Sequence, residues 1–413
     1  FMVLATDHTG LTTQKSYRNS DGATLSETNP HGLSTQTTYE ANAGRLASSK
    51  SLPSNVVINS TVAFDNTGDW NLYKQESVVN GSTVMAYYNF AGQKVKETAT
   101  GFKGVEHSTL YGYNPKGLLV TEQSTGVPTA TTYSYDNLDR LVSVTGHNGL
   151  SITYEYGSNY VKTTSSVTGT EIRYFDAVGN TTRVEAPTGT VEYKYFASGK
   201  VKEIVAEGNK TEMTYDERGN QLTLKDPSSG TTTYSYSMFN ELVSQTDAKG
   251  QTTTITYEGG RVKSRTSPGI TETYSYYTEP SKQGLLRSVS RNGVVEEYTY
   301  DQLGRLSSLL TTGMGRSFGT AYQYNGLGLV EYISHPTGLT LKYGYDSYGN
   351  LESISDSANL GVPIWQGKAK NGRNQWEQFA LGNGLITNYT YSDATLMISN
   401  IRTGTAEQPA QVQ

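Results

Sequence analysis

In "YTYDQLGRLSSLL", Tyr298 to Leu310, an aspartate stands four residues before an arginine and behind two tyrosines. Asp301, Arg305 and the hydroxyls of Tyr298 and Tyr300 are the residue types of an acid–base site. Asp and Glu are plentiful, so a carboxylate pair flanking a glycosidic bond is the chemistry to weigh. The phrase, however, returns as "YSYDNLDRLVSV" from Tyr133, as "YGYDSYGNLESI" from Tyr343 and, in worn form, as "YKYFASGKVKEI" from Tyr193. An active site needs one special constellation, whereas these aspartates recur unit after unit, as turn caps do.

Other chemistry fares no better. The five histidines, His8, His31, His107, His147 and His335, stand far apart with no HxxxH or HxH pair to chelate a metal, and each reads as a lone surface or strand histidine. Gly313, Gly315 and Gly319 miss the GxGxxG spacing, and no helical pattern follows to offer its N-terminus to a phosphate. With no Cys there is no disulfide framework, thiolate site or thiol nucleophile. Sequons at Asn59, Asn80, Asn180, Asn209 and Asn388 are what a Thr-rich chain produces by composition. No catalytic residue, metal ligand or cofactor is expected, and the chain is not expected to be an enzyme.

The period is the stronger signal. Aromatic anchors just before a turn fall at Tyr17, Tyr39, Phe64, Tyr88, Tyr113, Tyr135, Tyr156, Phe175, Tyr195, Tyr215, Tyr236, Tyr257, Tyr276, Tyr300, Tyr324 and Tyr345, at intervals of 19 to 25. The next clear anchor is Tyr391, after a gap of 46 that a degenerate unit around Trp365 would fill. Tyr-x-Tyr puts both rings on one face of a strand, since side chains alternate.

Asp or Asn follows at the first turn position and Gly at the fourth: Asp176 with Gly179, Asp216 with Gly219, Asp301 with Gly304, Asp346 with Gly349, Asn114 with Gly117. An Asx side chain bonds backbone N–H groups ahead of it, and Gly takes the left-handed conformation that closes a bulged hairpin. The departures obey the same physics: Pro115 suits the position after Asn114, and Asn240 or Asp139, two residue types that tolerate positive φ, stands where Gly usually does. Tyr135 with Asp136, and Tyr345 with Asp346, repeat the pattern. Arg305 and Leu306 begin a return strand that ends in a second glycine turn, such as "PTGTVEYKY". Each unit is strand, turn, strand, turn. A helical alternative fails because no segment keeps a period of 3.6 and a Gly or Asx break falls about every 10 residues.

Composition agrees. The chain has 32 Tyr against 9 Phe and 3 Trp, 43 Gly, 35% hydrophobic residues and a net charge of −5, so it is ordered and β-rich but has little dry core per residue. No dense Lys/Arg run offers a face for nucleic acid, and no stretch approaches the roughly 18 apolar residues of a membrane span. A soluble chain, part of something longer, is expected. About 34 consecutive antiparallel strands at roughly 4.8 Å each would make a sheet some 160 Å wide. Such a sheet must coil, close or fold back, because open sheets twist and seldom pass about ten strands. The expected fold is all-β, a long antiparallel meander curling around a space.

The phrases "YDNLDRL", "YDERGNQL", "YDQLGRL" and "YDSYGNL", at a period near 22, resemble the YD repeats of bacterial Rhs polymorphic toxins, of Tc toxin C components and of the teneurin shell. The resemblance runs from about Tyr17 to Tyr391, and "FALGNGLITNYTY" from Phe379 looks like the phrase preceding later repeats in Rhs chains. It implies a strip spiralling into a hollow cocoon, exported from a bacterial cell, that holds a C-terminal toxin polypeptide until delivery. That polypeptide, in cis or from the same precursor, would be the partner, with other shell or delivery components beside it. In that family the repeats end in a core segment with a DP-and-Gly signature and aspartyl self-cleavage. "DPSSG" at Asp226 sits mid-array and reads as a turn, so neither protease nor cargo is carried onto any residue here.

A single repeat region over 1–400, with an irregular stretch about 358–384 and a tail over 401–413, is the expected organisation. "LGVPIWQGKAKNGRNQWEQF", Leu360 to Phe379, holds Trp365 and Trp376 around a basic loop; it would plug the shell, touch cargo, or pack its own aromatics as a long loop. Arg305, Lys94 and Lys200, the cations after the turn, would meet an acidic cargo face or a turn carboxylate. The alternative function is a surface carbohydrate-binding or adhesion array, whose rows of tyrosine would stack on sugar rings.

Overall fold

The computed structural model describes residues 1–6, 11–40, 46–52, 57–63, 73–79, 82–393 and 395–405. The Phe64 anchor, His8 and Asn80 lie outside these residues. Among the described residues there are 37 strands, from β1 (Met2–Thr6) to β37 (Ile398–Gly404), and a single three-residue 3-10 turn at Phe102–Gly104. The fold is all-β, a long antiparallel meander. It exceeds the expected 34 strands because β1 precedes the first anchor and because Trp365–Lys370 (β34) and Trp376–Leu381 (β35) form the degenerate hairpin in the gap after Tyr345.

Two compact units divide the chain. One comprises Phe1–Thr131, Ser275–Ser288 and Gly293–Gln413, the other Thr132–Tyr274 with Val289–Asn292. Within each, successive strands pair antiparallel. In the first, β28 (Val294–Tyr300) pairs β29 (Leu306–Gly313), which pairs β30 (Arg316–Tyr324). In the second, β18 (Gly189–Tyr195) pairs β19 (Val201–Ala206), which pairs β20 (Asn209–Tyr215).

The hairpin β28–β29 shows why the repeat reads as it does. Asp301 N–H donates to Arg305 O (2.9 Å), and Gly304, at φ +71°, turns its N–H onto Asp301 O (3.2 Å). This is a type I turn closed by a left-handed residue. The register slips between Thr299 and Tyr300, so Ser307 is left over and the return strand is bulged. Asp139, Asn240 and Asn374 take Gly's place at φ +61°, +63° and +60°, as Asx residues can.

Bulging at the first turns has a consequence for the next hairpin. The β29–β30 ladder begins only at Ser308↔Ala321, so the carbonyl of Leu306 lies beyond its end. The Tyr324 hydroxyl donates to it at 2.8 Å. The same bond recurs after other bulged hairpins: Tyr113 to Lys94 O, Tyr156 to Leu141 O, Tyr236 to Gln221 O, Tyr257 to Leu242 O and Tyr345 to Val330 O, all at 2.7–3.0 Å, although Tyr215, which also follows a bulged hairpin, turns its hydroxyl to Met213 Sδ. Phe175 is the informative exception. The hairpin before it, β14 (Ser151–Tyr156) with β15 (Tyr160–Ser165), turns without a register slip, and its ladder to β16 (Gly169–Phe175) runs to Tyr160↔Tyr174. No carbonyl is stranded there, and a ring without a hydroxyl suffices.

Burial is shallow throughout. Strands such as β22 (Gly230–Tyr236) alternate exposed Thr and Ser with half-buried Tyr, and among the described residues the one buried large apolar side chain is Phe102, 1% exposed. Cohesion therefore rests on hydrogen bonds and on aromatic edges between hairpins. Replacing Tyr324 by Phe is expected to strand the Leu306 carbonyl and lower the opening free energy of β29–β30 amides by about 1 kcal/mol, read by hydrogen exchange. Tyr added at Phe175 should change nothing comparable.

Candidate functional site

The expected site residues come together as a wall rather than a pocket. Asp301 Oδ1 accepts the N–H groups of Leu303 (2.8 Å) and Arg305 (2.9 Å), and Asp216 and Asp346 cap their turns in the same way. Asp136 Oδ1 does so for Leu138 and Arg140. Arg305 turns back on Asp301 Oδ2 through both Nε and an η nitrogen, each at 2.7 Å, while its guanidinium lies 4.2 Å from the centre of the Tyr324 ring. Arg140 repeats this on Asp136 and Tyr156, and Lys200 sits over Tyr215. Arg305 and Arg140 thus tie their own aspartates to the next unit's anchor, whereas Lys200, whose turn begins at Phe196, makes the ring contact alone, and Lys94 pairs with Glu97 on its own strand and lies over Tyr111. Gly219 and Gly349 close their turns at φ +85° and +83°. At Tyr135 the register slips as it does at Tyr300 and Tyr345.

Electrostatics favour holding over reacting. Burial first, then the Glu296 carboxylate that accepts its hydroxyl at 2.8 Å, push Tyr298 up to about 12. Burial likewise raises Tyr300, Tyr324 and Tyr345, so these hydroxyls stay protonated, and those of Tyr324 and Tyr345 donate to carbonyls. Asp176 and Asp216 are held below the usual carboxylate range, chiefly by the Asn180 and Asn220 side chains and by the turn N–H groups; Asp136 is lowered by the Arg140 N–H first. Arg18 holds Asp21 down to about 2. Among the described residues no group of three or more His, Asp or Glu is arranged to hold a metal, and no helix is long and apolar enough to cross a membrane.

Sequence reasoning missed a second feature, on the opposite face. The residue before each anchor meets a matched partner across the hairpin: Ser134 with Ser143, Thr214 with Thr223 and Thr299 with Ser308, each at 2.7 Å. Lys194 meets Glu203 at 2.8 Å and Glu155 meets Lys162 at 3.2 Å. Gly112 and Gly344 leave the room that Thr121 and Ser353 hydroxyls fill. A complementary choice at these two offsets was the available signal.

Sequence reasoning also missed a clasp within the first unit, where the Gly101–His107 segment meets turns some 250 residues later. Lys103 N–H donates to Asp346 Oδ2 at 2.8 Å, and Lys103 Nζ pairs Glu352 at 3.1 Å. Gly104, at φ +81°, lies under Tyr348, where a Cβ would sit 3.0 Å from the hydroxyl. His107 Nδ1 donates to Gly372 O at 2.6 Å, and Arg373 donates to Gly126 O at 2.8 Å. Phe102 meets Trp376 edge-on, with ring centres 5.0 Å apart, and Trp376 in turn meets Trp365 at 5.1 Å.

Lys370 explains the position of Phe102. It pairs with Trp376 across its hairpin as Tyr300 pairs with Leu306, and so occupies an anchor place without a ring. Its ammonium, held below its ordinary range by burial, lies 4.5 Å from the Trp376 ring centre and 5.8 Å from that of Phe102. The missing anchor ring is supplied from elsewhere in the chain. The Leu360–Phe379 stretch accordingly packs its own aromatics and borrows one more.

An antiparallel strip of bulged YD hairpins, latched by tyrosine hydroxyls, is the class of protein this geometry defines. The RHS Repeat family model matches residues 215–252, from the Tyr215–Asp216 turn through the next hairpin. The fold is that of the TcdB2-TccC3 crystal structure, with a TM-score of 0.81 at 14% identity over 98% of this chain and 27% of that one. The Photorhabdus luminescens Tc holotoxin pore matches equally, TM-score 0.81 at 12% identity, over 98% and 29%. In sequence, the chain is 29% identical over 188 residues to the tRNA3(Ser)-specific nuclease WapA of Bacillus spizizenii and 27% to the tRNA nuclease WapA of Bacillus subtilis. Each match covers 44% of this chain and 8% of the relative, so the chain spans a small part of both. It resembles the Rhs, or YD-repeat, family in sequence and the Tc toxin shell in fold.

Phe102→Ala is expected to empty the clasp, with a local cost of about 3 kcal/mol. Amides of the Gly101–His107 and Asn371–Trp376 segments should exchange faster, and those of β20–β22 should not. The carboxylates give a pH dependence of definite sign. Folded values below the unfolded ones mean that the stabilisation from Asp21, Asp136, Asp176 and Asp216 is fully present above the unfolded range near pH 4 and is lost as pH falls through the folded values, to about 2 for Asp21. Urea midpoints should drop between about pH 5 and pH 2. Asn at positions 136, 176 and 216, which keeps the cap without titrating, should flatten that drop.

Proposed function

We propose that this chain is a segment of an encapsulating shell of Rhs or Tc type, exported from a bacterial cell, which encloses a toxin polypeptide until delivery. The observation that carries the reading is the clasp. A meander held together only by neighbouring hairpins is an open strip, whereas Phe102, Lys103 and His107 tie it to turns about 250 residues away. The likeness to the TcdB2-TccC3 fold over nearly the whole chain supports it, and so does a wall whose hydroxyls and carboxylates are engaged in holding its own backbone. On this reading the nuclease named in the WapA relatives belongs to parts of those proteins beyond the repeats, and no reaction is assigned to these residues.

A carbohydrate-binding array draws less support. Sugar stacking needs free ring faces, but the anchor rings lie between hairpins, with their hydroxyls on carbonyls and cations over Tyr156 and Tyr324. The test is protection. A protease-sensitive polypeptide fused after Gln413 should resist digestion until the strip is denatured, and the double change Phe102→Asp with Trp376→Asp should expose it. Digestion of the fused polypeptide as fast as the free one would overturn the reading, and saturable glycan binding lost with Tyr→Ala changes would favour the array.

A further inference from the structure

The hairpin β29–β30 outruns the one that follows it. Six residue pairs run from Ser308↔Ala321 to Gly313↔Arg316, against three in the next hairpin, β31 (Val330–Ser334) with β32 (Thr340–Tyr345). β31 joins β30 only as far as Ala321↔Ser334, and the chain turns back there, His335 N–H donating to Leu339 O. Residues 316–320 therefore have β29 on one side and, among the described residues, no strand on the other. At β16, which follows an equally long ladder, pairing resumes at Ile172↔Glu185 and leaves only three residues open. Five residues of strand make an edge about 17 Å long.

That edge presents its backbone groups in a fixed order. Met314 and Gly315, at φ +51° and +72°, make a two-residue turn, so Gly313 and Arg316 exchange hydrogen bonds and every second residue from Arg316 onward faces β29. Ser317 and Gly319 consequently turn their N–H and C=O groups outward. Edges are commonly blunted by proline, a bulge, a cation or a covering segment. Here the ladder has no register shift and the stretch no proline; its one cation, Arg316, has no carboxylate partner among the described residues. Arg316, Ser317, Phe318 and Gly319 are all exposed. Gly319 has no side chain to cover Leu310, its partner across the hairpin, which lies 3.7 Å from where a Cβ would sit and is partly exposed. An incoming strand thus meets an apolar group on each face, Phe318 on the one that carries Tyr322 and Tyr324, and Leu310 on the other.

We propose that this edge is a strand-addition site for a single extended peptide segment of about five residues, apolar at its centre and acidic at its C-terminal end, running antiparallel to β30. The outward N–H and C=O groups of Ser317 and Gly319 hold its backbone. The turn over residues 335–339 closes the edge at its base and so sets the length. Direction follows β31, whose line the segment extends. Phe318 and Leu310 call for the apolar centre. Antiparallel pairing puts the last residue of the segment opposite Arg316 at the tip, where an acid is complementary. The inference concerns a lone strand and stands whether or not the chain encloses a polypeptide.

The probe is a fluorescein-labelled peptide, Thr-Ile-Val-Thr-Glu, titrated against the full chain and followed by anisotropy. Saturable binding is expected. Proline is tolerated where a strand N–H faces outward, so Gly319→Pro removes a donor from the open edge and leaves the β29 side intact. It should weaken binding about tenfold or more, whereas Gly319→Ala, whose Cβ makes ordinary contact with Leu310, should bind as the parent chain does. Arg316→Glu should weaken binding of this peptide and favour the peptide ending in Lys instead. Circular dichroism and unchanged exchange of the Thr311 and Gly313 amides verify the hairpin in each variant. The same peptide N-methylated at Ile and at the second Thr needs no change in the chain and should fail as the proline variant does. No saturable binding up to millimolar peptide, equal binding by Gly319→Pro or by the N-methylated peptide, or no recovery with the exchanged charges would each overturn the proposal. So would a concentration-dependent dimer that Gly319→Pro abolishes, which marks pairing between two copies.

Discussion

The structure depends on a hydrogen-bonding shortfall. Every bulged first turn lifts the start of its return strand out of register, and the ladder to the next hairpin cannot begin until two residues later, as at Ser308↔Ala321 after Leu306. A carbonyl left without a partner costs about as much as a lost hydrogen bond. The side chain that reaches it must be long, flat and tipped with a donor, and must rise from the strand next door. Tyrosine meets those conditions. The excess of Tyr over Phe is thus a backbone requirement repeated along the chain, and Phe175 stands where the requirement lapses.

From that latch the rest of the unit follows. The ring that delivers the hydroxyl offers its face to the cation after the preceding turn, as Tyr324 does to Arg305, and the cation in turn holds the turn aspartate. Isolated exposed ion pairs contribute little, but here the pair shares a guanidinium with an aromatic ring and so fixes how one hairpin lies on the next. Stability is distributed: each unit leans on its neighbours, as in other repeat proteins, and among the described residues there is no single deep core whose loss would dissolve the whole.

Much of this was legible because it is local. The Asp and Gly that bracket a turn are three residues apart, and Tyr-x-Tyr is a period-two pattern, so the meander, the turns and the shared face of the rings could be read directly. The pairing of the residue before each anchor with one 7 to 13 positions on was equally present, in Ser134 with Ser143 and Ser275 with Ser288, but a pair that is two hydroxyls in one unit and Lys with Glu in another hides its rule in its variety. The clasp was out of reach for a different reason. Nothing near Phe102 in sequence says that its partner is Trp376, and Lys370 in an anchor place looked like decay of the repeat rather than a vacancy filled from afar.

That substitution bears on how a repeat protein acquires a function. A strip of identical units can only extend; what gives it a definite closure is a unit that breaks the rule in a complementary way. Lys370 lacks the ring its neighbours carry, Phe102 carries a ring where second turns usually have none, and each defect would be costly alone. Together they seat Phe102, the one buried large apolar side chain among the described residues, against Trp376, and they specify where the strip meets itself. The turn aspartate serves both ends of this logic, with one oxygen closing its own hairpin and the other, at Asp346, accepting a distant backbone. An arrangement first suggestive of acid–base catalysis is better understood as a joint, because Asp301 is committed to the N–H groups of its own turn, the Tyr298 hydroxyl to the Glu296 carboxylate and the Tyr324 hydroxyl to the Leu306 carbonyl.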